Sequence, residues 1–202
     1  MGRVVSTGEL IVEVMRKRVD SPLDKADDFI GPFPSGAPAI FIDQVARLGH
    51  QAAFIGAVGD DGFGRCLLDR FAADGVDAST VARVDGIATG VAFVTYFSDG
   101  SRQFIFHIGN SAAGRMPEVR AAMFLDADWL HICGSTLSAG EDMRKACYRA
   151  VELAVDAGAR VSFDPNLRPE LLGGEEALRR VCGPVIDAAS LVLPSASEAE
   201  VL

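Results

Sequence analysis

Three polar side chains that could bind a ligand alternate in the stretch FDPNLRPELL, residues 163–172. Asp164 and Asn166 can bind sugar hydroxyls or order the water shell of a metal ion. Arg168 can make a two-pronged contact with a carboxylate or a phosphate. The sequence Asp-Pro-Asn is also typical of a plain turn whose side chains cap the backbone, so the residue types alone leave both interpretations open.

A second candidate is the helix start at SGAP, residues 35–38. Pro38 suits the first turn of a helix, and Gly36 lets backbone N–H groups come close to a ligand. Helix N-termini attract oxygen-rich or anionic ligands. An ordinary helix cap would explain the same residues equally well.

Other stretches carry weaker signals. The glycine-rich GAVGDDGFG, residues 56–64, has the wrong spacing for a dinucleotide fingerprint and favours a strand–turn–helix connection. The stretch GNSAAG, residues 109–114, lacks the second glycine of a hydrolase nucleophile elbow. His107 and His131 each lie inside an apolar strand pattern, which favours a structural role for both.

From residue 129 onward, predicted strands alternate with predicted helices. The strands are 129–134, 160–166 and 190–194, and helices at 139–158 and 174–187 separate them. This order predicts an α/β fold with a mostly parallel sheet and helices on both faces. Ligands in such folds bind at the carboxyl ends of the strands, which is where the 163–172 stretch begins.

The first half of the chain departs from this alternation. We predict one strand over 3–15 with Glu13 at its end, and a hairpin of strands 90–97 and 102–108 around the turn SDGS. Pro117 favours a short helix over 117–127. Further elements are predicted as a helix after Pro38, a strand over 52–59 and a helix over 62–75.

Composition excludes several classes of protein. The 202 residues carry a formal net charge of −9 without a long basic run, so we expect no nucleic-acid partner. No apolar stretch is long enough for a membrane span, so we expect no membrane partner. The four cysteines are scattered without metal-binding spacing, which favours free thiols and a cytoplasmic location.

Taken together, these stretches resemble the ribokinase-like (PfkB) family of carbohydrate kinases over the whole chain. GELIVE resembles the family's opening strand, and SGAPAIFIDQVARLG with AAFIGAVGDDGFG resembles its first signature. FDPNLR is similar to its DxNxR turn, and PSASE to its PNxxE stretch. Among subfamilies, FDPNLRPELL looks most like 2-keto-3-deoxygluconate kinases, fructokinases and tagatose kinases.

The resemblance implies a single, incomplete ribokinase-like α/β domain over 1–202, with a small β lid formed by 16–34 and 90–108. It implies ATP-dependent phosphorylation of a ketohexose or related sugar, with Mg²⁺ as cofactor and a homodimer through the lid. The substrate side would be held by Glu13, Ser35, Gly36, His107 and Arg168. The nucleotide and magnesium side would be held by Asp164, Asn166, Ser195 and Glu198, with Glu198 acting on the metal through water.

The sequence departs from the family pattern at several positions. Ile40 and Ser195 stand where the family usually has Asn, and His107 stands where kinases of keto-acid sugars commonly have Arg. The last substitution favours a neutral ketose over 2-keto-3-deoxygluconate. The family's Gly-Ala-Gly-Asp stretch, with its catalytic base, is not in these 202 residues and is expected beyond residue 202. A non-catalytic sugar-binding fragment is therefore the alternative from another class.

Overall fold

The computed structural model describes residues 2–167 and 174–200, and these residues form two β-sheets. The strands are β1 (Arg3–Thr7), β2 (Ile11–Arg16), β3 (Phe29–Ser35), β4 (Gln51–Gly59), β5 (Val76–Asp77), β6 (Val81–Val84), β7 (Gly90–Tyr96), β8 (Arg102–His107), β9 (Ala127–Cys133), β10 (Arg160–Asp164) and β11 (Leu191–Val192). The helices are α1 (Ala37–Arg47), α2 (Gly62–Asp74), α3 (Gly134–Ser138), α4 (Glu141–Asp156), α5 (Glu175–Ala188) and α6 (Ala196–Ala199).

The larger sheet has seven parallel strands in the order β11-β10-β9-β1-β4-β5, with β6 also paired to β4. Alternate residues of β4 point to opposite faces, as strand geometry requires. Ala53 and Ile55 join the core formed with α4 and α5, while Ala52 and Phe54 join the core formed with α1 and α2. The predicted α/β fold with helices on both faces is confirmed.

The smaller sheet has four strands in the order β3-β2-β7-β8. We call it the second sheet. β7 and β8 form the predicted antiparallel hairpin, and β2 joins them in parallel to β7. From the segment 16–34, the residues from Phe29 onward form β3, which pairs with β2 antiparallel.

The first apolar run does not form one strand, as the sequence suggested. It divides into β1 in the larger sheet and β2 in the second sheet. The chain turns at Gly8, whose φ is 150°, and a Cβ on Gly8 would lie 2.3 Å from Thr136 Oγ1. The prediction that Glu13 ends the first strand is therefore wrong, because β1 ends at Thr7 and Glu13 lies inside β2.

The prediction of a helix over 117–127 is also wrong. A single 3-10 turn, Ala121–Phe124, forms there, and β9 already begins at Ala127. Phe124 is fully buried in the core beside α4, so one side chain anchors this segment without a regular helix. No helix among the described residues is long and apolar enough to cross a membrane.

Candidate active site

A cleft of about 390 Å³ lies between the second sheet and the carboxyl end of the larger sheet. Most of its lining is apolar, and the polar side chains that line it are Glu9, Glu13, Ser35, Arg102, Ser135, Ser138 and Asn166. The apolar wall includes Ile11, Ile40, Ala92, Phe104, Phe106 and Ile108. A concave site with a few convergent polar groups on an apolar wall is typical of small-molecule binding.

Glu9 is the acid that lies just beyond the end of β1, and the sequence analysis missed it. It is buried, and it accepts hydrogen bonds from Ser135 Oγ at 2.6 Å and from Thr136 Oγ1. A buried carboxylate is tolerated only when such donors compensate its lost hydration. The signal for it was a Gly-Glu pair interrupting an apolar run, at the place where the chain changes sheets.

Glu13 faces the same cleft from the middle of β2. It is half-buried and accepts hydrogen bonds from Ser35 Oγ at 3.1 Å and from the Tyr96 hydroxyl at 3.4 Å. Ser35 is the last residue of β3, so the pairing of β2 with β3 brings these two predicted residues together. The carboxylate is oriented by its neighbours and can accept the hydroxyls of a ligand.

Gly36 also lines the cleft, and its conformation explains why the position is glycine. Its φ is 105°, and a Cβ there would lie 2.4 Å from the carbonyl oxygen of Glu9. Gly36 is the N-cap of α1, which has proline in its first turn and no side-chain cap. The glycine thus permits β3, α1 and the Gly8–Leu10 turn to meet at one edge of the cleft.

His107 does not belong to this cleft, contrary to the sequence prediction. Along β8, Arg102, Phe104 and Phe106 line the cleft, so His107 lies on the opposite face of the strand. There its ring packs against Phe93, with the two ring centroids 6.2 Å apart. The cation of β8 that lines the cleft is Arg102, whose guanidinium lies 5.7 Å from the Phe104 ring.

The predicted residues of the nucleotide side lie at the turn after β10 and at the start of α6, which contacts that turn. The carboxylate of Asp164 accepts from the backbone N–H of Asn166 at 3.1 Å, and Glu198 accepts from the next N–H, of Leu167, at 2.7 Å. Glu198 also accepts from the N–H of Ser195 at 2.8 Å and from its hydroxyl at 2.7 Å, forming a capping box at the start of α6. Arg168 lies outside the described residues.

This turn contacts the end of β9. Asn166 Nδ2 lies 3.3 Å from Cys133 Sγ, and Asn166 has a φ of 35°. Burial, followed by the negative charge of Glu9, raises the pKa of the Cys133 thiol to about 12. Cys133 is therefore a neutral packing residue beneath the cleft at physiological pH.

The donor set of this turn fits a magnesium ion bound through water. Asp164 and Asn166 supply side-chain oxygens from this turn, and Glu198 of α6 supplies oxygens beside it through its hydrogen bond to Leu167. Mg²⁺ prefers oxygen ligands while keeping several of its waters. Within residues 2–167 and 174–200, no three His, Cys, Asp or Glu side chains are grouped to hold a metal directly.

Comparisons with known proteins agree with this architecture. The chain is 38% identical over 201 residues to fructokinase-1 of Oryza sativa subsp. japonica, covering 98% of this chain and 62% of that protein. An E. coli protein provisionally named ribokinase II, solved with ATP and Mg²⁺, superimposes with a TM-score of 0.90 at 40% identity, over 98% of this chain and 63% of that one. The structure of fructokinase of Xylella fastidiosa with bound ATP superimposes with a TM-score of 0.79 at 29% identity, over 99% of this chain and 63% of that one.

The chain thus spans less than two thirds of the length of the rice relative. The model of the pfkB family of carbohydrate kinases matches residues 1–202, which includes both sheets and every element that lines the cleft. The expected ribokinase-like fold is confirmed by the solved structures. The chain belongs to the pfkB family of carbohydrate kinases.

Proposed function

We propose that the protein is an ATP-dependent kinase that phosphorylates a hydroxyl of a ketohexose or related sugar, of the fructose or tagatose type. The cleft carries the proposal, because it offers carboxylate, hydroxyl and amide groups beside an apolar wall at the carboxyl end of a parallel sheet. The relatives named fructokinases, at 38% identity for the rice protein, support the choice of sugar.

On the sugar side, Glu13 accepts substrate hydroxyls and Ser35 orients its carboxylate. Glu9 is less suited than Glu13 to direct contact with the sugar, since both of its carboxylate oxygens already accept hydrogen bonds, from Ser135 and Thr136. Gly36, which also lines the cleft, supplies backbone close to the sugar. Holding the acceptor hydroxyl in one orientation lowers the entropic part of the barrier. We propose Arg168 as a further contact on this side.

On the nucleotide side, Asp164, Asn166, Ser195 and Glu198 order the waters of Mg²⁺. When bound with ATP, this ion neutralises charge on the transferred phosphoryl group. Ser195 acts by fixing Glu198 through the capping box. The base that accepts the proton of the sugar hydroxyl is proposed to lie in the family's Gly-Ala-Gly-Asp stretch, outside these 202 residues. The activity proposed is that of the whole protein.

The experiment that tests this proposal measures ADP release from ATP and Mg²⁺ by the protein as its gene encodes it. D-fructose, D-tagatose and 2-keto-3-deoxygluconate are supplied in parallel, and each product is identified by mass. We expect sugar-dependent ADP release with one of the two ketohexoses. Calorimetric binding of the sugar without ADP release would instead support the non-catalytic sugar-binding alternative.

One observation favours 2-keto-3-deoxygluconate as the second candidate substrate. The preference for a neutral sugar relied on His107 in place of an arginine, but His107 faces away from the cleft and Arg102 lines it. A guanidinium in the cleft can pair with a sugar carboxylate. Turnover of the acid sugar alone, lost in Arg102→Gln, would establish this candidate over the ketohexoses.

We also propose that the protein is a cytoplasmic homodimer that assembles through the second sheet. The face of this sheet opposite the cleft exposes Phe29 and Ile105, beside the Phe93 and His107 rings. β3 and β8 are its open edges, and such edges invite pairing with another chain. All four cysteines are free, which agrees with a reducing compartment.

A further inference from the structure

The glycine-rich turn between β4 and α2, residues 59–64, is in contact with a segment from a distant part of the chain. A Cβ on Gly59 would lie 2.4 Å from the carbonyl oxygen of Ile87 and 2.7 Å from the nitrogen of Thr89. A Cβ on Gly64 would lie 3.1 Å from Thr89 Oγ1. Gly59 therefore makes room for the connector 85–89, which leads into β7. Gly64 makes room first for the carbonyl oxygen of Gly59, which would lie 2.1 Å from its Cβ, and then for Thr89.

Thr89 is the centre of this contact. It is 3% exposed, and its hydroxyl accepts from the N–H of Gly59 at 2.9 Å and donates to Asp61 Oδ1 at 2.8 Å. The N–H of Thr89 donates to Asp61 Oδ2 at 2.7 Å. One buried threonine thus joins the last residue of β4 to the residue that caps α2.

Asp61 completes the network from the side of the larger sheet. Its Oδ1 also accepts from the N–H of Gly64 at 2.8 Å, which makes Asp61 the N-cap of α2. Burial acts to raise the pKa of Asp61, but the hydrogen bonds from Thr89 and Gly64 outweigh it and the pKa is lowered. Asp61 is therefore a carboxylate at neutral pH, so its contacts with Thr89 are charge-assisted.

The position of Thr89 connects this network to the cleft. β7 begins at Gly90, and Ala92 lines the cleft directly opposite Glu13 on β2. The N–H of Ala112, in the chain that returns from β8, donates to the carbonyl of Ala88 at 2.8 Å. Both ends of the β7–β8 hairpin are therefore held at the same connector.

We propose that Thr89 is a positioning residue that fixes the β7–β8 hairpin, and through it one wall of the sugar cleft, on the Gly59–Asp61 turn of the larger sheet. This inference rests on the proposed function for its substrate. Thr89 touches no ligand itself; it acts by setting the height and tilt of β7 relative to the carboxyl end of β4. In this proposal the glycine-rich turn is the part of the larger sheet that supports the second sheet.

The test compares Thr89→Val with Thr80→Val in the protein as its gene encodes it. Both changes remove one threonine hydroxyl at similar volume, but Thr80 Oγ1 donates to the carbonyl of Phe54 in the middle of β4, away from the second sheet. Thr89→Ser keeps the hydroxyl, and Thr89→Ala removes it without adding a methyl group that could strain the turn. Hydrogen–deuterium exchange of β7 and β8 is measured without ligand, and D-fructose affinity by calorimetry.

We expect Thr89→Val and Thr89→Ala to exchange faster than Thr80→Val in β7 and β8, and to bind D-fructose about tenfold more weakly. Thr89→Ser should stay close to the unsubstituted protein in both measurements. Equal exchange in β7 and β8 for the Thr89 and Thr80 variants would overturn the proposal, as would equal fructose affinity. If the unsubstituted protein binds neither D-fructose nor D-tagatose, the proposed function fails, and the exchange comparison alone decides the role of Thr89.

Discussion

Two glutamates line the same cleft, and their partners give them different roles. Glu9 is 4% exposed and receives hydroxyl donors from Ser135 and Thr136 on its two oxygens. Glu13 is half-buried and held by the longer contacts to Ser35 and Tyr96. A carboxylate with weak partners can exchange them for a ligand at little cost, whereas Glu9 would lose strong ones. Glu13 is therefore the better candidate for direct sugar contact.

This assignment predicts the effect of Glu13→Gln. The change keeps the shape but removes the charge that strengthens hydrogen bonds from sugar hydroxyls, so the Kd for D-fructose should rise at least about tenfold, or roughly 1.5 kcal/mol. Melting temperature should change little. Calorimetry of the variant measures the affinity, and Glu152→Gln is the matched control, because Glu152 pairs with Arg149 on the exposed surface of α4. Equal affinity in both variants would contradict a direct role for Glu13.

His131 provides a pH-dependent prediction. Burial lowers its pKa to about 4, and the ring stacks on Phe41 with centroids 3.6 Å apart. Because the folded pKa lies below that of the unfolded chain, the stabilisation is present above about pH 6.5 and is lost as the pH falls toward 4. We expect the free energy of unfolding to fall by about 3 kcal/mol over this window.

Urea unfolding at a series of pH values measures this loss, and His131→Phe is the comparison. The variant keeps an aromatic ring beside Phe41 but cannot take up a proton. Its stability should therefore depend less on pH between 6.5 and 4, whatever its absolute stability. Parallel pH curves for the two proteins would mean that His131 is not the group responsible.

Single residues were predictable where their strand periodicity was taken into account. Asp164, Asn166, Ser195 and Glu198 lie at or after the ends of β10 and β11, so the sequence could place them at the carboxyl edge of the sheet, and their roles stay predictions. The sequence also indicates on which face of its strand His107 lies. In a strand, 102, 104 and 106 share one face and 107 takes the other, so His107 could not line a cleft together with Phe104 and Phe106.

At the level of elements, the site depends on close approach between β9, α3 and the turn after β10. Gly134 is the first residue of α3, and a Cβ there would lie 1.8 Å from the carbonyl oxygen of Pro165. This contact puts Ser135 and Asn166 on the same cleft. A side chain at position 134 would separate the two elements and move both residues.

Gly134→Ala should therefore destabilise the protein by about 1–3 kcal/mol and weaken sugar binding, because the added methyl group has no room. Gly183→Ala provides the control. Gly183 lies inside α5, and apart from its chain neighbours a Cβ added there would meet nothing within 4 Å. Because Pro184 follows and opposes the helical gain of alanine, the change in stability should be small beside that of Gly134→Ala. Denaturant unfolding gives both values, and a neutral Gly134→Ala would mean that the turn after β10 moves freely.

Elements with a clear local period were predictable, and those set by tertiary contacts were not. The alternation of β9, α4, β10, α5 and β11 follows from apolar runs and helical spacing, and the β7–β8 hairpin from its turn. The division of the first run into β1 and β2 had no such signal, because Leu10, Val12 and Val14 continue a strand-like alternation past Gly8. The chain changes sheets there because Gly8 packs against Thr136 of α3.

For the whole molecule, the division into two sheets determines which residues each part of the chain contributes to the cleft. The larger sheet contributes Glu9, Ser135 and Asn166 through the ends of its strands, and the second sheet contributes Glu13 and Arg102 through one face. The opposite face of the second sheet is left with Phe29 and Ile105, which are 40% and 46% exposed. A second copy of the chain would present the same apolar face and could bury both residues in a symmetric interface.

The proposed dimer predicts that Ile105→Glu separates the protein into monomers. Burying two like charges across a symmetric interface is unfavourable, whereas the same side chain is readily solvated in a monomer. Size-exclusion chromatography with light scattering should show half the mass of the unsubstituted protein, with the circular dichroism spectrum unchanged. Val155→Glu, a similarly exposed position at 49% on α4, should leave the dimer intact. A dimer that survives Ile105→Glu, or an unsubstituted protein that is already monomeric, would rule out assembly through this face.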